Sequence, residues 1–124
     1  MLVTTLNTKL LEEYGRTTVA TWSAFTGRKI VVVVNPEEVD YFKTELGSRY
    51  SVLPFGAGSL QHMAAIRSRE EALNYRRGDY RWQAARFSWK VFAMEEAFIS
   101  FPQEQVVTWL DADSLLKDGF DSWL

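Results

Sequence analysis

The chain has 124 residues, a length typical of one domain that can bury a core without disulfides or a structural metal. Its formal net charge of −2 provides no basic field that would draw the whole molecule onto nucleic acid or an acidic membrane. Because it contains no cysteine, a disulfide scaffold and a thiolate metal site are excluded.

The N-terminal segment predicts a strand and a helix. Its opening residues, MLVTTLNTKLLEEYG, lack the basic and apolar regions of a signal peptide, and no apolar run approaches the roughly 20 residues of a membrane span. We therefore expect a cytoplasmic protein. Residues 2–6 predict a short strand, and Asn7 or Thr8 can cap the helix that follows and ends at Gly27. The buried stripe of this helix is predicted to contain Leu11, Tyr14, Thr18, Trp22 and Phe25.

The middle of the chain predicts two further strands and two helices. The segment KIVVVV at residues 29–34 contains an unbroken β-branched run, which is typical of a strand covered on both faces in a parallel sheet. The segment NPEE then indicates a helix start with Asn35 as its cap. Residues 50–55 predict a third strand, and residues 60–74 predict a polar helix. The glycines of FGAGSLQ between them only partly match a phosphate-binding loop.

A long helix is predicted at about residues 80–98, with Asp79 as its cap. One face contains Tyr80, Ala84, Phe87, Val91, Met94 and Phe98, and the nearly opposite face contains Trp82, Trp89, Ala93 and Ala97. A helix that is apolar on both faces is expected to be buried on both. Arg86 and Lys90 share the second face, so we expect these cations to lie against the protein rather than in bulk water.

A final strand is predicted at residues 106–110, and the four strands then alternate with helices. This alternation implies right-handed crossovers and an α/β, Rossmann-like fold whose mostly parallel sheet has the order 3-2-1-4. Strands 1 and 4 become neighbours, and their carboxyl ends flank the crevice where such folds bind ligands. The loops that meet there contain Thr5, Leu6 and Asn7 on one side and Asp111, Ala112 and Asp113 on the other.

Asp111 and Asp113 lie one residue apart, directly after the apolar run VVTWL. Two carboxylates this close repel each other, and a hard divalent cation relieves the repulsion while keeping positions open for phosphate and water. The alternative is a solvated turn, in which aspartate is common. Arg86 and Lys90 either bind an anionic ligand such as phosphate or form structural ion pairs with nearby acids, the two aspartates included.

Three segments resemble the GT-A-type glycosyltransferases, particularly the glycogenin-like and the bacterial and phage nucleotide-sugar transferases: VTTLNTKLLEEYG, RFSWKVFA and VVTWLDADSLL. The resemblance implies that Asp111 and Asp113 hold Mn²⁺ or Mg²⁺ against the diphosphate of a nucleotide sugar, with a UDP-linked sugar expected. It also implies that Asp111 reaches the ribose, that residues 5–7 meet the nucleoside, and that Tyr14 stacks nearby. Lys90 matches a lysine of these enzymes that approaches the donor sugar and phosphates, and Arg86 is expected beside it.

GT-A domains are about twice as long as this chain, and their second half supplies the acceptor pocket, the catalytic carboxylate and often a histidine metal ligand. The resemblance therefore implies that residues 1–124 are a single nucleotide-sugar-binding domain, the donor-binding half of a metal-dependent glycosyltransferase, with no catalytic residue assigned. A chain that contains only this half would be a fragment of a transferase, would work with a partner that supplies the rest, or would have lost catalysis. It would expose apolar surface around strand 4 and the segment FDSWL, which favours self-association.

Two other functions fit the sequence. The two aspartates of WLDADSL match the D-x-D part of the D-x-D-x-[ST] pattern of haloacid-dehalogenase-like phosphatases, in which the first aspartate is the nucleophile, although Leu115 lies at the Ser/Thr position. A non-catalytic Rossmann-like module that docks on a partner through residues 115–124 is the third possibility. The single histidine, His62, has no nucleophile or carboxylate at a telling spacing, so a Ser-His-Asp triad is excluded.

Overall fold

The computed structural model describes residues 1–75 and 83–124. In this part of the chain a sheet contains β1 (Leu2–Thr5), β2 (Ile30–Val34), β3 (Tyr50–Pro54) and β4 (Thr108–Trp109). The strands lie in the order β3-β2-β1-β4, and each neighbouring pair is parallel. The predicted α/β, Rossmann-like fold and the order 3-2-1-4 are therefore confirmed, although β4 is shorter than the predicted 106–110.

β2 lies between β1 and β3, and every residue in it is fully buried. Because successive side chains of a strand point to opposite faces, its β-branched run supplies both layers of the core. Val31 and Val33 pack against α-helices on one face, whereas Ile30, Val32 and Val34 pack on the other. The unbroken apolar run thus predicted the position of this strand correctly.

The first helix is shorter than predicted and is followed by two separate helical turns. α1 covers Thr8–Leu10, a π-helical turn covers Leu11–Gly15, and a 3-10 helix covers Val19–Ala24. The prediction of one helix ending at Gly27 is therefore wrong. The hydroxyls of Thr17 and Thr18 both bond to the carbonyl of Tyr14 at 2.9 Å, and such local bonds compete with the helical ladder. The predicted stripe still reaches the core, where Trp22 is fully buried.

The remaining helices follow the predicted order with shifted ends. A 3-10 turn at Pro36–Glu38 leads into α2 (Val39–Leu46), α3 covers Ala57–Ala72, α4 covers Gln83–Ser100, and a last 3-10 turn covers Phe120–Trp123. Asn35 occupies the predicted cap position without a capping bond, and its amide instead donates to Glu38 at 3.3 Å. The predicted start of the long helix, with Asp79, Tyr80 and Trp82, lies outside the described residues.

α4 packs on the sheet through small residues, of which Ala93 and Ala97 are fully buried. Its outer face is exposed: Phe87 by 57%, Val91 by 59% and Phe98 by 52%. The prediction that this helix is buried on both faces is therefore wrong, because only one face meets the sheet and α3. Within the described parts of the chain, no helix has the length and apolarity needed to cross a bilayer.

The C-terminal segment, residues 110–124, packs on the same side of the sheet as Trp22. The indole of Trp22 donates to the carbonyl of Ser114 at 2.8 Å, and the carboxylate of Asp121 accepts hydrogen bonds from the Thr26 hydroxyl and the Gly27 amide. The apolar surface expected near strand 4 and in FDSWL is present, since Val106, Leu115, Trp123 and Leu124 are exposed. Self-association through it stays a prediction.

The loop FGAGS leads into α3, and the carboxylate of Glu96 lies at the start of that helix. Its Oε1 accepts hydrogen bonds from the Gly56 amide at 2.8 Å and from the Ser59 hydroxyl at 2.9 Å. A Cβ added at Gly56 would lie 2.8 Å from the same oxygen, so the glycine allows this close approach. The partial match to a phosphate-binding loop has a structural explanation, because an acidic side chain of the protein already occupies this helix start.

Replacing Glu96 should destabilise the protein through loss of this cap. We expect Glu96→Ala to lower the free energy of unfolding by about 1–2 kcal/mol, because it removes the acceptor for an amide and a hydroxyl at the start of α3. Urea denaturation measures the change. Glu95→Ala, at an exposed position on the same helix, is the control and should change stability by less than about 0.5 kcal/mol. Equal losses in the two variants would contradict the capping role.

Candidate functional site

A cleft of about 390 Å³ opens at the carboxyl ends of β1 and β4. All of the site residues predicted from the sequence line it: Thr5, Leu6, Asn7, Tyr14, Arg86, Lys90, Asp111, Ala112 and Asp113. The loop after β1 and the acidic turn after β4 therefore face one cavity, as the strand order requires. Their roles in binding stay predictions.

The loop after β1 is held in place by hydrogen bonds on its inner side. The Thr5 hydroxyl donates to the carbonyl of Val33 at 2.7 Å, which joins β1 to β2. Asn7 is the cap of α1, because its Oδ1 accepts from the amide of Leu10 at 2.9 Å. The carboxylate of Glu38 accepts from the Thr8 amide at 2.8 Å and from the Thr8 hydroxyl at 2.6 Å. This side of the cleft is thus pre-organised by hydrogen bonds within the protein.

The acidic turn after β4 presents both aspartates outward. Asp111 and Asp113 are exposed, whereas Ala112 between them is buried in the core next to Leu116. The Ser114 amide donates to the carbonyl of Asp111 at 2.9 Å and closes the turn. The Ala112 carbonyl accepts a hydrogen bond of 2.5 Å from the Thr18 hydroxyl. Because Ala112 is held on its buried side, the carboxylates on either side of it point away from the core.

Asp111 receives two hydrogen bonds on one oxygen. The ammonium of Lys90 lies 2.7 Å from its Oδ1, and the indole Nε1 of Trp109 lies 2.8 Å from the same atom. The hydrogen bond from Lys90 lowers the pKa of the Asp111 carboxyl most, and the bond from Trp109 lowers it next. The positive charges of Lys90 and Arg86 lower it further. The ion pair between Lys90 and Asp111, one of the two roles the sequence left open for Lys90, is therefore formed in this structure.

Tyr14 lies within the electrostatic reach of both aspartates. Burial raises the pKa of its phenol most, the negative charge of Asp113 raises it further, and Arg86 partly opposes this. Tyr14 therefore stays neutral at physiological pH, and the half-buried residue lines the cleft together with the acidic turn. An aromatic ring beside two carboxylates and a guanidinium can stack on a planar group of an anionic ligand.

Several lining residues were not predicted as site residues: Leu10, Gln83, Phe87, Trp89 and Trp109. Trp89, which the sequence places on the same helix face as Ala93 and Ala97, packs edge-on against Phe55 with 5.7 Å between ring centroids. Trp109 could have been found from the sequence. It lies two residues before Asp111 at the end of a strand, and residues two apart in a strand share a face.

The acidic turn provides some of the ligands that a hard divalent cation needs. Among the described residues, no group of three or more histidine, cysteine, aspartate or glutamate side chains could hold a metal ion. The donor set at the turn is carboxylate oxygen from Asp111 and Asp113, which is the chemistry that Mg²⁺ and Mn²⁺ prefer. An ion held by these two carboxylates would have to take its other oxygens from phosphate and water.

No protein-family model, curated protein or solved structure matches the chain. The functional argument therefore depends on the cleft itself. Its decisive feature is that oppositely charged side chains from the turn after β4 and from α4 meet beside a pre-organised loop.

Removing the Lys90 ammonium should raise the pKa of Asp111. In Lys90→Met the carboxyl loses its strongest partner, so its pKa should move up toward the ordinary value of about 3.9, as measured by carbon-detected NMR of the carboxyl group. Because the pKa is lower in the folded state, the ion pair stabilises the fold above the ordinary pKa and loses this effect as the pH falls through the lowered value.

The matched control is Lys29→Met. The Lys29 ammonium lies 4.3 Å from the ring centroid of Phe101. Lys29 directly precedes β2 and so lies at the amino end of that strand, whereas the cleft opens at the carboxyl ends of the strands. This variant should leave the pKa of Asp111 unchanged. An unchanged pKa in Lys90→Met as well would show that the ion pair does not form in solution.

Proposed function

We propose that the cleft binds a nucleotide-diphosphate sugar, UDP-linked, together with Mn²⁺ or Mg²⁺. The chain then acts as a metal-dependent glycosyltransferase or as the donor-binding portion of one. One observation supports this most: the D-x-D turn, the loop after β1 and the cations of α4 line the same cleft. The resemblance to GT-A enzymes concerns the sequence segments that supply these three parts.

The volume and position of the cleft suit such a ligand. About 390 Å³ lies within the range of roughly 300–1,000 Å³ that is usual for small-molecule sites. The cleft opens where β1 and β4 lie side by side and the connections run to opposite sides of the sheet, which is where open α/β sheets bind nucleotides.

The lining residues divide into parts that match the parts of a nucleotide sugar. Lys90 and Arg86 provide positive charge for phosphate oxygens, and the exposed carboxylates of the turn provide ligands for a divalent cation. The loop at residues 5–7 and the Tyr14 ring offer a partly apolar surface for the nucleoside. When bound, the metal ion would stabilise the negative charge of the departing diphosphate.

Donor binding is the activity proposed for the described residues, and no catalytic residue is assigned. Among the described residues that line the cleft, Asp111 and Asp113 are the carboxylates, and both are used as metal ligands in this proposal.

Calorimetric titration with UDP-glucose tests this proposal. Binding to the wild type should require Mn²⁺, and Asp113→Ala should raise the Kd by at least about tenfold, because a ligand of the cation is lost. Asp118→Ala is the matched control, since Asp118 is an exposed aspartate of the same C-terminal segment that does not line the cleft, and it should bind like the wild type. Binding that is indifferent to Mn²⁺, or equal in both variants, would contradict the proposal.

A further inference from the structure

The two groups that hold Asp111 differ in their freedom to move. Trp109 precedes Asp111 by two residues and belongs to β4, so its backbone is held by the sheet, and its ring packs against the core. Lys90 reaches Asp111 from α4 at the end of a long, flexible side chain. Its side chain is 34% exposed and that of Asp111 is 58% exposed, so solvent reaches the ion pair. Ion pairs as exposed as this contribute little net stability, so little free energy is lost when they separate.

Among the described residues that line the cleft, the charges balance one another. Asp111 and Asp113 contribute negative charge, and Lys90 and Arg86 contribute an equal amount of positive charge. A divalent cation that approaches Asp111 alone meets the ammonium already bound there. A diphosphate that approaches Lys90 alone meets the aspartate beside it. Each ligand by itself is therefore opposed by a charge that the other ligand would neutralise.

Two aromatic rings keep the ammonium of Lys90 within the cleft. Its Nζ lies 5.4 Å from the centroid of the Trp109 ring and 5.7 Å from that of Phe87, both within the range of cation–π attraction. Both rings line the cleft. Lys90 can thus leave Asp111 and still remain where a phosphate group would be bound.

We propose that Lys90 is an exchangeable counterion that couples the binding of the cation to the binding of the diphosphate. It neutralises Asp111 when no cation is bound there, and it turns to the diphosphate when Asp111 ligates a cation. Trp109 keeps its hydrogen bond throughout, so the carboxylate stays oriented. This inference rests on the proposed nucleotide-sugar site and concerns the regulation of that site.

Coupling of this kind has a measurable size and is reciprocal. Mn²⁺ should tighten UDP binding to the wild type by about 5- to 150-fold, and UDP should tighten Mn²⁺ binding by the same factor. Without the ammonium, the cation meets less competition at Asp111, and less is gained when the diphosphate arrives. The factor should then be smaller than in the wild type, and what remains comes from direct contact between the cation and the diphosphate.

The test compares Lys90→Met with the wild type, using Mn²⁺ alone and then Mn²⁺ with UDP. Methionine keeps an unbranched apolar stem beside the two rings and removes the charge. Electron paramagnetic resonance of free Mn²⁺ should show tighter binding of Mn²⁺ alone to Lys90→Met than to the wild type. Calorimetry should show a smaller effect of Mn²⁺ on UDP binding in the variant. Lys29→Met is the control and should match the wild type in both measurements.

The outcomes separate this inference from the function on which it rests. Metal-dependent UDP binding by the wild type, together with unchanged Mn²⁺ affinity and unchanged coupling in Lys90→Met, would overturn the counterion exchange and leave the nucleotide-sugar site standing. Absent or metal-independent UDP binding by the wild type would overturn both. Tighter Mn²⁺ binding with weaker coupling in Lys90→Met alone supports both.

Discussion

The parallel pairing of β1 with β4 is the contact on which the candidate site depends. Two residue pairs form it, Leu2 with Thr108 and Val3 with Trp109, and the Leu110 amide bonds to the Val3 carbonyl at 3.0 Å. Because parallel strands end at the same edge of a sheet, this pairing brings together loops from opposite ends of the chain. So short a ladder needs support, and the bonds of the C-terminal segment to Thr18 and Trp22 supply it.

The position of α4 determines the electrostatics of the cleft. Small side chains, chiefly Ala93 and Ala97, let this helix lie close to the sheet, and Lys90 then comes within 2.7 Å of Asp111. The aspartate is thereby kept ionised, and the lysine is kept within the cleft. This ion pair is partly exposed, so it costs less to separate than a fully buried pair would.

Much of this arrangement could be predicted from the sequence because the strands have strong patterns. The β-branched run at 30–34 indicated a strand buried on both faces, and the alternation of elements implied the strand order that places Thr5 and Asp113 at one cleft. The break in the first helix was missed, because Thr17 and Thr18 form local bonds that periodicity does not report. The exposed outer face of α4 was missed because apolar periodicity does not show what covers a face.

The most direct test of the account is an amide NMR titration of the labelled protein with UDP-glucose and Mg²⁺, a diamagnetic ion. If the two strand ends form one site, the amides of residues 5–7 and of residues 111–113 should shift together along one binding curve. Shifts confined to one of these segments, or centred on another region such as the start of α3 near Gly56, would contradict it.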